Sequence, residues 1–322
     1  MASFFQVQRS PDWELPLPEC DTLDLERHLD LAVRGLIADP DAGSDRSRAI
    51  GSILMAEGRL SSEQIEQIQQ FANERSLRFG DAAVLLKLLT PYDVAVALAR
   101  QFNYPTLPRG GEGGVHDDVI VAHNPAHEQA ESMRVLRSQL MLRWFPTATR
   151  KALAIISPER GEGRSLLAAN LATAFAQIDL RTLLIDTDLR QPRQHEMFNL
   201  SNEAGLSEVL TGRAGRQVVQ RVHPQLRLFV LTAGAVPPNP QELLSRPLFQ
   251  LVLDRLIGQF DTVILDTPAA SEAADAQILS AFAGAALILA RRNRTRSAQL
   301  AGIMETLRQT GVNVVGSVIF DH

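Results

Sequence analysis

Residues Ser157 to Asn170 read S-P-E-R-G-E-G-R-S-L-L-A-A-N. Gly161 and Gly163 let successive backbone N–H groups turn toward an anion, and a helix starting beside them adds the positive end of its dipole. The chemistry this suits is phosphate binding. Ser165 stands where a hydroxyl would hold Mg²⁺. Two positions depart from the pattern G-x-x-x-x-G-K-[ST]: Pro158 occupies the first glycine and Arg164 the lysine. A guanidinium is a larger planar fork than the compact lysine ammonium, so the second change alters where the charge sits. Yet Lys87 and Lys151 are the two lysines among 32 basic residues, and Arg164 is equally consistent with drift toward arginine at a working phosphate site. Taken alone, the loop also reads as a plain strand-to-helix turn.

Acids supply the second part. L-L-I runs into Asp186-Thr187-Asp188-Leu189-Arg190, and V-I-L runs into Asp266-Thr267-Pro268. Paired acids at i and i+2 beside a phosphate loop can hold Mg²⁺ and orient an attacking hydroxyl. Asp266 lies where a Walker B acid would support the metal's shell. A single strand-end aspartate often does no more than cap a turn; three on one edge beside a glycine loop point to a nucleotide–Mg²⁺ site.

The elements that must position these residues follow from apolar patterning. Strands are expected at 153–157, 182–186, 226–231, 262–266, 285–290 and 314–320, with helices at 165–177, 241–259, 273–282 and 297–310. Near-continuous apolar strands separated by helices indicate a parallel sheet covered on both faces. The ligand crevice then lies at the carboxyl ends of the strands, where every motif above falls. The fold class is α/β, a parallel-sheet phosphate-loop domain preceded by a small helical one.

Composition bounds the rest. The chain has 322 residues, 45% hydrophobic and 21% charged, ordinary for a soluble globular protein. A formal charge of −5 argues against nucleic-acid binding as the main role. The single cysteine, Cys20, excludes an internal disulfide framework and suits the cytosol. The first residues lack a signal-peptide pattern, and no apolar run reaches the ~18 residues of a spanning helix.

Four segments are expected. Residues 1–45 form a proline-rich, acidic tail with one amphipathic helix over 23–36. Residues 46–108 form a helical domain with an internal repeat at an offset of 29, matching Gly51 to Gly80, Leu60 to Leu89 and Ile65 to Val94. In each copy a capping residue, Ser61 or Thr90, starts the second helix. Residues 109–125, with G-G-E-G-G at 110–114, read as a flexible linker. Residues 126–322 form the phosphate-loop domain, opened by a helix over 127–145. On it Glu131, Arg134 and Arg137 share one face, as an intrahelical ion-paired surface or as a contact to a neighbouring subunit.

The repeat resembles the N-terminal domain of type II secretion and pilus assembly ATPases. Some of those bind cyclic di-GMP through an arginine before the glycine and a glutamine late in the second helix. Arg78 and Gln101 stand at those places in the second copy; the first copy has Ala49 and Ala72. A helical docking module, with both residues merely on its surface, is the other reading.

From 126 onward the loop, D-T-D-L-R, A-V-P-P-N-P-Q-E-L-L-S at 235–245 and V-I-L-D-T-P are similar to bacterial tyrosine kinases of capsule and exopolysaccharide export, P-loop proteins related in fold to MinD/ParA ATPases. E-S-M-R-V-L-R matches that family's E-x-x-R-x-x-R oligomerisation motif. The resemblance implies ATP and Mg²⁺ as cofactors. It implies that Gly161, Glu162, Gly163, Arg164, Ser165 and Leu166 bind ATP, with Arg164 also catalytic, and that Ser165, Asp186 and Asp266 hold metal. Asp186 and Asp188 would activate the tyrosine hydroxyl, and Arg190 would brace the strand end. Glu131, Arg134 and Arg137 would join subunits into a ring. It further implies a cytoplasmic protein recruited to the inner membrane by a chain-length-determinant (polysaccharide co-polymerase) partner. The sequence given ends at V-I-F-D-H without the family's C-terminal tyrosine cluster, and its tyrosines are Tyr92 and Tyr104. Acceptor tyrosines are therefore expected on a partner or at these two positions. An ATP-binding switch of the MinD/ParA kind and a non-enzymatic adaptor are the alternatives.

Overall fold

The computed structural model describes residues 50–320 apart from 103, 112 and 215–217; the helix expected over 23–36 lies outside the described residues. Four helices come first: α1 (Ile50–Ala56), α2 (Ser62–Arg75), α3 (Phe79–Leu85) and α4 (Pro91–Gln101). They are two copies of one helix pair. Ser61 and Thr90 accept from the N–H groups of Gln64 and Asp93, whose side chains reach back to close two capping boxes. Gly51 faces Ile65 and Gly80 faces Val94. A Cβ on Gly80 would lie 2.7 Å from Val94 Cγ1, so the second pair crosses closely enough that any side chain there would force Val94 to shift. Leu54, Leu60, Ile68, Ala82 and Leu89 form the core of this part.

The segment expected as a flexible linker departs from that reading. Val115, Val119, Val121 and Ala122 are buried in the main core, together with Leu107 just before the segment. The glycine run closes a turn in which Gly110 N–H donates to Val115 O at 2.9 Å. The chain then enters α5 (Ile120–His123), where Val121 N–H donates to Asn170 Oδ1 at 3.0 Å. Irregular but apolar, this stretch gains more by burial than its spacing suggests.

After α6 (Glu128–Arg143) the chain alternates: β1 (Ala152–Ile156), α7 (Arg164–Ala176), β2 (Thr182–Asp186), α8 (Gln194–Met197), α9 (Leu206–Leu210), β3 (Val219–Arg221) and β4 (Leu228–Leu231). There follow α10 (Pro240–Leu244), α11 (Pro247–Ile257), β5 (Thr262–Asp266), α12 (Asp275–Ala283), β6 (Ala285–Arg291), α13 (Ser297–Gln309) and β7 (Asn313–Phe320). The single helix expected over 241–259 is two, because Pro247 has no N–H to donate to the preceding turn and instead opens a new one. Among the described residues seven strands form one sheet in the order β3-β4-β2-β5-β1-β6-β7. Every neighbouring pair is parallel except β3–β4.

Burial follows from the two-faced sheet. Leu153 and Ile155 of β1 face the α5–α7 side, while Ala152 and Ala154 face α11 and α12. Helix α7 is apolar all round and buried from Leu167 to Ala176, because it lies between the sheet and α5–α6. Trp144 meets Phe145 edge-on and Phe145 stacks on Phe175, which fastens the end of α6 against α7. The chain leaves β1 toward β2 on one side and reaches β6 on the other, which puts the switch point at the carboxyl end of β1. No helix among the described residues is long and apolar enough to cross a membrane.

Candidate active site

The glycine loop follows β1 at that switch point. Gly161 and Gly163 have φ of 71° and 98°, a region that side chains disfavour, and Gly163 is the N-cap of α7. The first N–H groups of α7 have no partner within the helix, which is the anion-binding arrangement expected. Glu162, expected among the ATP-binding residues, contributes to the loop by its backbone, because its side chain points the other way. Its carboxylate is buried and turned back, accepting from Glu159 N–H at 2.8 Å and from the Thr295 hydroxyl. It stiffens the loop; only its backbone faces outward chemistry.

Arg164 is turned inward as well. Its Nε donates to Thr267 O at 2.8 Å, and its Nη1 donates to Ser157 Oγ and to Glu159 O. The guanidinium thus ties together the ends of β1 and β5 beneath the loop, with 8% of the residue exposed. Burial lowers its pKa, and the nearby carboxylates of Asp266, Asp188 and Glu162 oppose that shift. The cation expected on the phosphates is, in this structure, bonded to protein.

The acids converge. β2 and β5 pair in parallel with Asp186 opposite Asp266, so the two carboxylates come to one place at the carboxyl edge. Both are fully buried. Asp186 Oδ1 accepts from Asp188 N–H, and its Oδ2 accepts from Arg193 and Gln194 N–H at 3.0 and 2.9 Å. Asp266 Oδ2 accepts from Gln194 Nε2 at 2.7 Å, while its Oδ1 is buried without a partner. Burial raises the Asp186 pKa well above the ordinary carboxylate value, and the Asp266 charge adds to this. Burial raises Asp266 to about 6, against the hydrogen bond from Gln194 and the nearby Ser165 hydroxyl. A buried carboxylate oxygen left unpaired beside a second buried carboxylate and a serine hydroxyl is a donor set that a hard divalent cation takes, so these residues fit Mg²⁺.

The other expected residues fall in several places. Asp188 is buried at the same edge, its Oδ1 accepting from Arg190 and Gln191 N–H. Arg190 bonds through Nε and Nη2 to Asp275 Oδ2 at 3.0 Å, which pins the strand end to α12. Leu166 packs its side chain on the main core, so only its backbone belongs to the loop. Glu131 and Arg134 form the intrahelical pair at 2.6 Å, Arg134 also donates to Pro125 O, and Arg137 donates to Ala174 O on α7. Arg78 is the exposed N-cap of α3 and Gln101 ends α4.

Sequence reasoning missed Gln194. It is fully buried, and its Nε2 bridges Asp266 Oδ2 and Ser165 O, linking the acid edge to the glycine loop. Nothing in Q-P-R-Q-H marks it beyond its place shortly after D-T-D-L-R. The run R-R-N-R-T-R after β6 gave a signal that went unread. It brings Arg291 Nη1 to Gly161 O at 3.2 Å and Arg294 to within 3.7 Å of the Cβ position of Gly161.

Comparison with known proteins agrees with this geometry. No family model matches the chain. The tyrosine-protein kinase YwqD of Bacillus subtilis is 35% identical over 204 residues, which is 63% of this chain and 85% of YwqD. The tyrosine-protein kinase ptk of Acinetobacter johnsonii is 34% identical over 203 residues, but the chain spans only 28% of its length. Among solved structures, the kinase domain of the Escherichia coli tyrosine kinase Etk aligns at a TM-score of 0.60 with 31% identity, covering 67% of this chain and 88% of that domain. The chimerical protein CapA2B2 aligns at 0.59 with 32% identity, covering 70% and 97%. A glycine loop and an in-register acid pair on a sheet of this order, at such identity over most of YwqD, place the chain in the bacterial tyrosine-protein kinase family.

Proposed function

We propose that this chain transfers the γ-phosphoryl group of ATP, bound with Mg²⁺, to tyrosine hydroxyls, and that it acts in exopolysaccharide chain-length control or export. The observation that carries the reading is the pairing of Asp186 with Asp266, both buried, beside the Gly161–Ser165 loop. The loop N–H groups and the α7 N-terminus would hold the phosphates. The Ser165 hydroxyl, Asp266 and Asp186 would hold Mg²⁺, which when bound neutralises charge on the transferring group. Asp188, two residues beyond Asp186 at the same strand end, would take the proton of the attacking phenol. Arg190 keeps that strand end in place through Asp275. Gln194 spans from Ser165 O to Asp266 and sets the spacing of loop and acid. Glu131, Arg134 and Arg137 would contact a neighbouring copy, in a cytoplasmic protein brought to the membrane by a polysaccharide co-polymerase. The helical module would serve for docking, and Arg78 and Gln101 would be its residues toward a cyclic di-GMP ligand.

One observation favours a second reading, a nucleotide-binding switch without phosphotransfer: the Arg164 guanidinium makes its three hydrogen bonds to the protein. Phosphotransfer from MgATP to a tyrosine-bearing peptide, read by phosphotyrosine mass spectrometry, separates the two. Wild type should label the peptide and Asp186→Asn should not. ATP binding without phosphotyrosine in either protein would decide for the switch.

A further inference from the structure

The sequence holds two tyrosines, Tyr92 and Tyr104, and both line one cleft of about 920 Å³ between the helical module and the far end of α7. They are held differently. Tyr92 lies in the first turn of α4 and is 38% exposed. Tyr104 follows α4, half-buried, with its N–H on Ala99 O and its hydroxyl donating to Gln177 Oε1 at 2.6 Å. Gln177 caps α7 and uses its Nε2 to hold Pro105 O and Val121 O, at 3.1 and 2.9 Å. Arg134 and Arg137 of α6 both lie within interaction range of the Tyr104 phenol. Arg137 also bonds Ala174 O, three residues before Gln177, which fixes its guanidinium beside the same helix end. Two half-buried guanidiniums thus stand beside this one phenol. This is the surrounding a phosphate monoester takes, through charge-assisted hydrogen bonds to guanidinium.

We propose that Tyr104 is a phospho-acceptor of this kinase and that Arg134 and Arg137 receive the phosphate; this rests on the tyrosine-kinase reading above. The donor is a second copy. α7 has 13 residues between the glycine loop and Gln177, so about 20 Å of helix separates Tyr104 from its own chain's site. In the transfer the bond from the γ-phosphorus to the β–γ bridging oxygen breaks and a bond to Tyr104 Oη forms. The phenolic proton passes to Asp188 of the acting copy and then to water, and ADP leaves. Tyr104 is half-buried, so the acting copy must break its bond to Gln177 to reach the hydroxyl. Once modified, the side chain has no proton for Gln177 Oε1, and its dianion turns to the arginines. Phosphorylation thereby exchanges the Gln177 tie for a stronger one to α6. It also occupies the two arginines that a neighbouring subunit would otherwise meet.

The test uses the full chain with MgATP. The acceptor is Asp186→Asn, unable to label itself, and the donor carries Tyr92→Phe and Tyr104→Phe. A glutamate–tyrosine copolymer is present in the same reaction, and peptides are mapped by mass spectrometry. The expected result is phosphate on Tyr104 of the acceptor, at a rate that rises with donor concentration. Copolymer labelled while Tyr104 stays unmodified would overturn this inference and leave the kinase reading standing. No label on either would overturn both. In a second arm, phosphorylated acceptor with and without Arg134→Gln plus Arg137→Gln is treated with a tyrosine phosphatase. Loss of the arginines should speed dephosphorylation of Tyr104 several-fold, and equal rates would remove them as the phosphate's partners.

Discussion

Replacing Asp266 by asparagine should make the ligand-free protein more stable at neutral pH while removing its phosphotransfer. Burial raises this carboxyl from 3.8 to about 6. The folded chain therefore binds the proton more tightly than the unfolded chain does. The stability this adds is complete below the unfolded value of 3.8 and is lost as pH rises through about 6. At about 1.4 kcal/mol per pH unit, the wild type gives up about 3 kcal/mol across that window. Asparagine keeps the size of the side chain, does not titrate, and offers an oxygen to Gln194 Nε2. The difference in unfolding free energy between variant and wild type should thus grow in the variant's favour as pH rises, reaching about 3 kcal/mol near pH 7.5. Urea unfolding of both proteins from pH 4.5 to 8, followed by circular dichroism, measures it. Carboxylates held low elsewhere, such as Asp93 and Glu208, titrate in both proteins and cancel. Asp186, raised in part by the Asp266 charge, is relieved in the variant and adds to the difference in the same direction. A difference independent of pH would refute the reasoning, as would a wild type that is the more stable of the two at pH 7.5.

Three further outcomes are expected. Gly80→Ala drives a methyl into Val94 and should cost about 1–3 kcal/mol less the ~1 kcal/mol gained in helix propensity, whereas Gly51→Ala, with 3.5 Å to Ile65, should stabilise; thermal unfolding compares them. Arg164→Lys cannot keep all three bonds to Ser157, Glu159 and Thr267, so melting temperature should fall by a few degrees while phosphotransfer rises, because the ammonium is no longer held away from the phosphates. Arg294→Gln should raise KM for ATP several-fold with little change in kcat, since its guanidinium lies by Gly161 outside the acid edge; steady-state kinetics decides.

The helical repeat was legible because the same physical need recurs in each copy. A small residue must face a β-branched one, and a capping hydroxyl must start the second helix; Gly51 meets Ile65 just as its matched Gly80 meets the matched Val94. The acid pair was legible for a similar reason: an apolar run ending in Asp can only be a buried strand reaching an edge, and both runs do so in one register. The antiparallel β3, only three residues long, carries no period that a sequence could display. The buried stretch from Val115 to Ala122 was hidden by the glycines before it, which argue for a linker more loudly than five irregularly spaced apolar residues argue for a core. Gln194 and the inward turn of Arg164 were not legible at all. Each is decided by which carbonyl or carboxylate happens to lie within reach after folding.

The in-register pairing of β2 with β5 has a consequence for how such a chain can change its length over evolutionary time. Adding or deleting one residue anywhere from Thr182 to Asp186, or from Thr262 to Asp266, would turn one acid to the opposite face of the sheet and part the pair. Substitutions there can be absorbed one at a time, but insertions cannot. The loops on the other edge of the sheet, between α7 and β2 and between α11 and β5, begin the same strands and share the same constraint on phase, though not on length. Variation in chain length is therefore expected to collect where it leaves the phase of these two strands untouched, as in the connection from α9 to β3.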